Sequence, residues 1–199
     1  MAAAEIPSPD AELLEAFVNT RRPITARTDP ATDAIDTPAG AIAWLLSRQL
    51  VRQPQAQLSF ADVDRLVALR ETLRDLMAAH NGVDITESSV TTWNELAQRA
   101  SVHPVLRSDG GIEMRSLVDG PDGALGALLA VATRAMMDGT FDRLKACRNP
   151  DCRWAFYDRS PNGRRIWCET SAASCGSRHK MRAYRARAGE RGAAFDLRT

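Results

Sequence analysis

The chain has 199 residues, 44% of them apolar, and a formal net charge of +1. That length suffices for one good core plus a small appended module. It holds no apolar run near the roughly 18 residues of a membrane span, and the opening Met1-Ala2-Ala3-Ala4-Glu5 lacks the regions of a signal peptide, so a cytoplasmic protein is expected.

Residues 11–21 read as a short amphipathic helix with Leu13, Leu14, Phe17 and Val18 on one face. Residues 23–38 are rich in Pro, Thr and Asp and read as a loop. Thr37-Pro38 pairs an N-cap hydroxyl with Pro at the first helical position and predicts a helix to about Val51, burying Ile42, Leu45, Leu46 and Leu50. After a linker at 53–58, Ser59 and Asp62 form a capping-box pair. Val63, Leu66, Leu69, Leu73, Leu76 and Met77 then recur at helical spacing, and Asn81-Gly82 supplies a left-handed stop. A further helix is expected over 88–100, with Trp93, Leu96, Ala97 and Ala100 inward. Val102–Arg107 and Ile112–Val118 flank Ser108-Asp109-Gly110-Gly111 and predict a β-hairpin. A last helix of this part is expected over 122–138. Residues 1–142 thus predict a mostly helical domain with one hairpin.

All four cysteines lie in the remaining segment, 143–199. Cys147, Cys152, Cys168 and Cys175 form two close pairs, C-x4-C and C-x6-C, with 15 residues between them. The alternatives are four free buried thiols, a redox-switched disulfide, or a metal site. Pairs at this spacing in a reducing compartment favour one structural Zn²⁺ in a closed tetrahedral thiolate site, with no open position for an activated water. Trp154–Asp158 reads as a strand, Arg159–Gly163 as a turn and Arg164–Cys168 as the return strand. A helix is expected from Gly176 to about Ala188, with Met181, Tyr184 and Ala188 against the module. Trp154, Phe156, Tyr157, Ile166 and Trp167 are expected to form a mini-core around the metal. Knuckle, hairpin and helix make a treble-clef-like finger, and the whole chain is assigned to the α+β class.

The small net charge hides an asymmetry. Segment 143–199 holds 14 Lys and Arg against five Asp and Glu, leaving it at +9, and residues 1–142 at −8. Arg178, Arg182 and Arg185 recur at helical spacing on one face. With Lys180, Arg187, Ser177 and the hairpin residues Arg164 and Arg165 they form a candidate nucleic-acid surface, the alternative being a solvated charged helix. His179 is expected at the surface, since four cysteines already satisfy zinc.

These residues carry a resemblance. Trp167-Cys168…Cys175-Gly176-Ser177-Arg178-His179-Lys180, preceded by Cys147-x4-Cys152 and by Phe156-Tyr157-Asp158-Arg159-Ser160, resembles the CGNR zinc finger with its F-x-D-x-S, W-C and C-G-N-R-x-K motifs. Phe17-Val18-Asn19-Thr20 and Leu69-Arg70-Glu71-x-Leu73-Arg74 are similar to the DFVNT and LRxxLR segments of the ABATE domain that precedes such fingers. The resemblance implies a stress-induced transcription regulator whose N-terminal domain senses a signal and whose finger binds DNA. Ser177 stands where that family has Asn, and the second cysteine pair is two residues wider than its usual spacing.

Residues 1–142 contain no catalytic constellation. His80 and His103 lie in no motif, and there is no phosphate loop, G-x-S-x-G or H-E-x-x-H. The chain is therefore expected not to be an enzyme. Asn19, Thr20 and Arg70 could hold a small anion; the alternative is that Asn19 caps a helix and Arg70 sits in an ion pair. The leading expectation is a DNA-binding regulator, and the competing one a zinc-stabilised RNA- or protein-binding module. A single finger has a small footprint, for which a homodimer is one route to specific binding.

Overall fold

The computed structural model describes residues 6–22, 32–51, 57–168, 175–182 and 184–185. Most of the expected 23–38 loop and 53–58 linker, the interior of the second cysteine pair, and residues 186–188 with Arg187 lie outside these.

Five helices make the bulk of the fold: α1 (Pro9–Val18), α2 (Pro38–Ser47), α3 (Phe60–Ala79), α4 (Glu87–Arg99) and α5 (Gly120–Met137). Between α4 and α5 lies the antiparallel hairpin β1 (Val102–Leu106) and β2 (Ile112–Ser116). A single 3-10 turn, Thr140–Arg143, then leads into β3 (Leu144–Ala146), which pairs antiparallel with β4 (Ala155–Tyr157). The α+β class is as expected.

Local chemistry sets the helix ends. Ser8 caps α1, its Oγ accepting from Ala11 N at 3.2 Å, with Pro9 at the first helical position. Thr37 and Ser59 cap α2 and α3, and the Ser59–Asp62 capping box is complete. Gly82, at φ +78°, ends α3 in the left-handed region that a side chain disfavours. Helix α2 stops before the expected Val51. Leu50 N donates to Leu45 O at 3.0 Å and Gln49 N to Leu46 O at 3.0 Å, a Schellman closure with Gln49 at φ +57°. No glycine announces this stop.

The core is formed where α1, α3 and α5 meet, with Phe17, Leu69, Leu73, Leu125 and Leu128 fully buried. Phe17 packs its ring 5.2 Å from that of Trp44 on α2. The same continuous core takes in Leu144, Ala146, Ala155 and Tyr157. The second hairpin is therefore built into the helical part, β3 against α3 and β4 against α1. The charge boundary near residue 143 is not a packing boundary.

Glu15 on α1 and Asn19 at its C-cap complete the sheet. Ladder bonds join Cys147 N to Trp154 O at 2.9 Å and Asp158 N to Arg143 O at 2.7 Å. In an antiparallel ladder this phase turns the main chain of Ala155 and Tyr157 away from β3. Asn19 meets that edge: its Nδ2 donates to Ala155 O and its Oδ1 accepts from Ala155 N, both at 2.9 Å. Glu15, one helical turn earlier, accepts from Tyr157 N at 3.1 Å. Asn19→Ala removes both partners of a buried main-chain amide, each worth about 1–3 kcal/mol when left unmade. We expect a loss of about 2–4 kcal/mol in urea unfolding; a change under about 0.5 kcal/mol, the range of an ordinary surface substitution, would mean the edge is otherwise satisfied.

Candidate zinc centre and nucleic-acid surface

Cys147 follows β3 directly and Cys152 precedes β4 by two residues, so the first knuckle is the turn of the β3–β4 hairpin. Asn149-Pro150 shapes it: Asn149 O accepts from Cys152 N at 2.9 Å and Arg153 N at 3.0 Å. Arg153 takes a left-handed conformation, φ +46°, which costs a non-glycine residue roughly 1 kcal/mol. Helix α3 holds it there. Arg74 Nη1 donates to Arg153 O at 2.8 Å, and Asp75 pairs with the Arg153 guanidinium at 2.6 Å. Arg74 also donates to Val18 O at 2.5 Å, so one buried guanidinium links α1, α3 and the knuckle.

This corrects the expected hairpin. Trp154–Asp158 pairs with 144–146 and not with 164–168, which forms no strand. The return segment meets the knuckle instead, Arg148 N donating to Ile166 O at 3.0 Å. Asp158 dictates this path. It is fully buried, paired with Lys145 Nζ at 3.0 Å, and accepts from Ser160 N, Ser160 Oγ and Arg165 N at 2.6–3.0 Å. Lys145 Nζ in turn donates to Gly163 O and Arg165 O. The 158–165 turn is thus wound around one buried ion pair. The mini-core is also divided: Tyr157 joins the main core, whereas Trp154 and Trp167 pack on the cysteines.

The four Sγ atoms lie within 4.8 Å of one another, with Cys152 and Cys168 3.7 Å apart and Cys168 and Cys175 4.0 Å apart. Zn–S bonds of about 2.3 Å at tetrahedral angles put sulfurs about 3.8 Å apart. None of the four is in a disulfide. Hydrogen bonds from Cys152 and then Cys168 lower the Cys147 thiol far below its usual range, whereas hydrogen bonding to Cys147 raises Cys152 and Cys168. Sulfurs this close cannot share their negative charge without a cation among them. Asn149 Nδ2 and Arg178 Nη2 both approach Cys175 Sγ, at 3.5 and 3.4 Å, as donors to a thiolate would. Zn²⁺ fits this donor set, held by Cys147, Cys152, Cys168 and Cys175 in a closed, structural site.

Residues 175–182 are helical and continue at 184–185; we label this helix α6. Gly176 lies in this helix, where a Cβ would stand 2.8 Å from Trp167 Cδ1. The glycine of the C-G-x-R motif therefore gives Trp167 its seat, and the His179 ring covers Trp167 at 5.1 Å. Met181 and Tyr184 are exposed, contrary to their expected packing on the module. The predicted nucleic-acid-binding residues divide. Arg164, Lys180, Arg182 and Arg185 are exposed, whereas Arg178 and Ser177 are half-buried. Arg165 turns inward, donating to Trp167 O at 2.8 Å and to Cys168 O, with its guanidinium 4.9 Å from the Phe156 ring centre. Sequence reasoning missed Arg148, an exposed cation inside the first knuckle. Its signal was a charge between two ligands, which fixes its distance from the metal.

The other candidate residues form a network of their own. Arg70, 1% exposed, donates to Asp33 Oδ1 at 2.7 Å, Thr20 Oγ1 at 3.2 Å and Glu71 Oε1 at 2.9 Å. Thr20 Oγ1 donates to Phe17 O at 2.8 Å, and the Asn19 amide is taken up by β4. The guanidinium is matched by two carboxylates of the chain itself. His80 Nδ1 is 2.7 Å from Leu144 O, and Asn81 Nδ2 donates to Ala146 O at 2.7 Å, so the end of α3 also holds β3.

A four-cysteine site at the tip of a hairpin, with its last ligand in a helix, defines a zinc-finger protein, here fused to a helical domain. The chain belongs to the ABATE family: that family model, described as "Putative stress-induced transcription regulator", matches residues 11–139, and the CGNR zinc finger matches residues 143–188. A comparison with curated proteins found no match. Among the described residues, no helix is long and apolar enough to cross a membrane.

Proposed function

We propose that this protein is a DNA-binding transcription regulator in which segment 143–199 contacts DNA and the helical part, residues 1–142, receives a signal as a small ligand or protein partner. The observation that carries this reading is the one-signed surface of the finger. Arg164, Lys180, Arg182 and Arg185 are exposed, and among the described residues none of them is in an ion pair. Cations left without acidic partners attract phosphate and release its counterions on binding. Zinc holds the surface in shape and takes no part in chemistry. The family description supports the regulatory role.

The test is the affinity of the zinc-loaded full chain for duplex DNA across a salt series. Log affinity should fall linearly with log salt, with a slope reporting several phosphate contacts. Affinity indifferent to salt would remove the phosphate contacts from the account. Stronger binding to structured RNA in direct competition would instead favour an RNA-binding module.

A further inference from the structure

A groove of about 430 Å³ runs between the first knuckle, the Ile166-Trp167 segment and α6. Arg148, Arg178, His179, Lys180 and Arg182 line it, with Trp167 as one wall. No carboxylate lines it among the described residues. Four permanent cations facing one cavity repel one another unless an anion lies between them. Zinc with four thiolates carries a net charge of −2, which offsets part of this charge but leaves a surplus of two. Of these four cations, among the described residues, Arg178 alone reaches a sulfur, through Nη2 on Cys175. Its Nε is buried and has no hydrogen-bond partner, so this guanidinium is not fully satisfied by the chain itself.

We propose that this groove seats a backbone phosphate of duplex DNA, bound by Arg148 from the knuckle and by Arg178, Lys180 and Arg182 from α6. The proposal rests on the DNA-binding reading and sharpens it. The decisive contact then lies in the cleft between the first knuckle and α6, which Arg185 does not line. The metal links the two walls. Arg148 sits one residue after Cys147, and Cys175 lies in α6, so a metal held by both would fix the spacing of the cations that face each other. A groove of this size accepts a phosphate with its flanking sugar, while the Trp167 wall excludes water from one side. Arg178 is a fork whose Nη2 is oriented by the Cys175 sulfur and whose Nη1 can meet a phosphate oxygen.

The test uses the full-length, zinc-loaded protein and a duplex of about 20 base pairs, with anisotropy read over a salt series. Arg148→Ala and Lys180→Ala each remove an exposed groove cation. Arg107→Ala, on the far β1–β2 hairpin, removes the same charge elsewhere. Zinc content and helix signal confirm that each variant is folded. Each groove variant should weaken binding at least about fivefold and lower the salt slope by about one, with Arg107→Ala within about twofold of wild type. If wild type binds and the groove variants behave like Arg107→Ala, the groove proposal falls and the DNA reading stands. Weakened binding with an unchanged salt slope also overturns it, since no phosphate contact has then been lost. If wild type fails to bind duplex DNA at any salt, both fall.

Discussion

Removing zinc, by chelation or by Cys147→Ala, should lower the melting temperature of the whole chain and not of the finger alone. Cys147 and Cys152 close the β3–β4 hairpin, and that hairpin contributes Leu144, Ala146, Ala155 and Tyr157 to the main core. Structural zinc contributes roughly 10–16 kcal/mol of binding free energy in isolated finger peptides. The hairpin here is also held by Arg74, Asn19, Asn81 and His80, so only part of that is at stake. A loss of about 4 kcal/mol would lower the midpoint of a chain of this size by roughly 10 °C. Helix ellipticity during melting, with and without chelator, reads this directly, and metal analysis should find about one zinc per chain. Loss of zinc with an unchanged helix transition would show that α1 and α3 hold the hairpin without the metal.

Breaking the Lys145–Asp158 pair should cost nearly as much. Both side chains are buried, and removing one leaves an uncompensated charge, at a typical cost of about 3–5 kcal/mol. Asp158→Ala also strips the acceptor from Ser160 N and Arg165 N, so the 158–165 turn should lose its shape. The two single variants and the double variant Lys145→Met/Asp158→Ala separate these effects. If the double variant is more stable than Asp158→Ala, the stranded ammonium is the larger penalty. Burial pushes the Asp158 carboxyl up, but the bonds from Ser160, Lys145 and Arg165 outweigh it and hold the group below the ordinary aspartate range. A carboxyl with a lowered folded-state pKa contributes stability that is present above the unfolded value of about 3.9 and lost as pH falls through the folded value. The gap in urea midpoint between wild type and Asp158→Asn should therefore narrow below about pH 4. A constant gap down to pH 3 would mean that the carboxylate's charge is not what stabilises the turn.

Local signals were legible in the sequence and long-range pairings were not. The Ser59–Asp62 box, the Asn81-Gly82 stop and the Asp109-Gly110 turn each act within a few residues, and each is where the sequence places it. The cysteine spacing likewise names its metal, because four thiolates at those intervals have few other uses. The sequence points to Arg164–Cys168 as the strand partner of Ala155–Tyr157, because its aromatic and branched residues suggest a strand. The actual partner, Leu144-Lys145-Ala146, is three residues long and carries a lysine that is buried only because Asp158 meets it. No local pattern encodes that pairing. Asn19 and Thr20 stand out in the sequence only as polar residues beside an apolar face. What Asn19 does depends on a strand 136 residues away, a distance no periodicity spans.

That contact has a consequence for inheritance. A finger is usually pictured as a cassette that can be cut out and joined to any neighbour. Here Glu15 and Asn19 act as a surrogate third strand along β4, so the outer edge of the finger is finished by the first helix of the other segment. A transplanted finger would expose bare main-chain donors and acceptors, an invitation to pair with a foreign strand. The two segments are expected to travel through evolution as one unit. A helical partner lacking the acidic residue and the amide one turn apart could not replace α1.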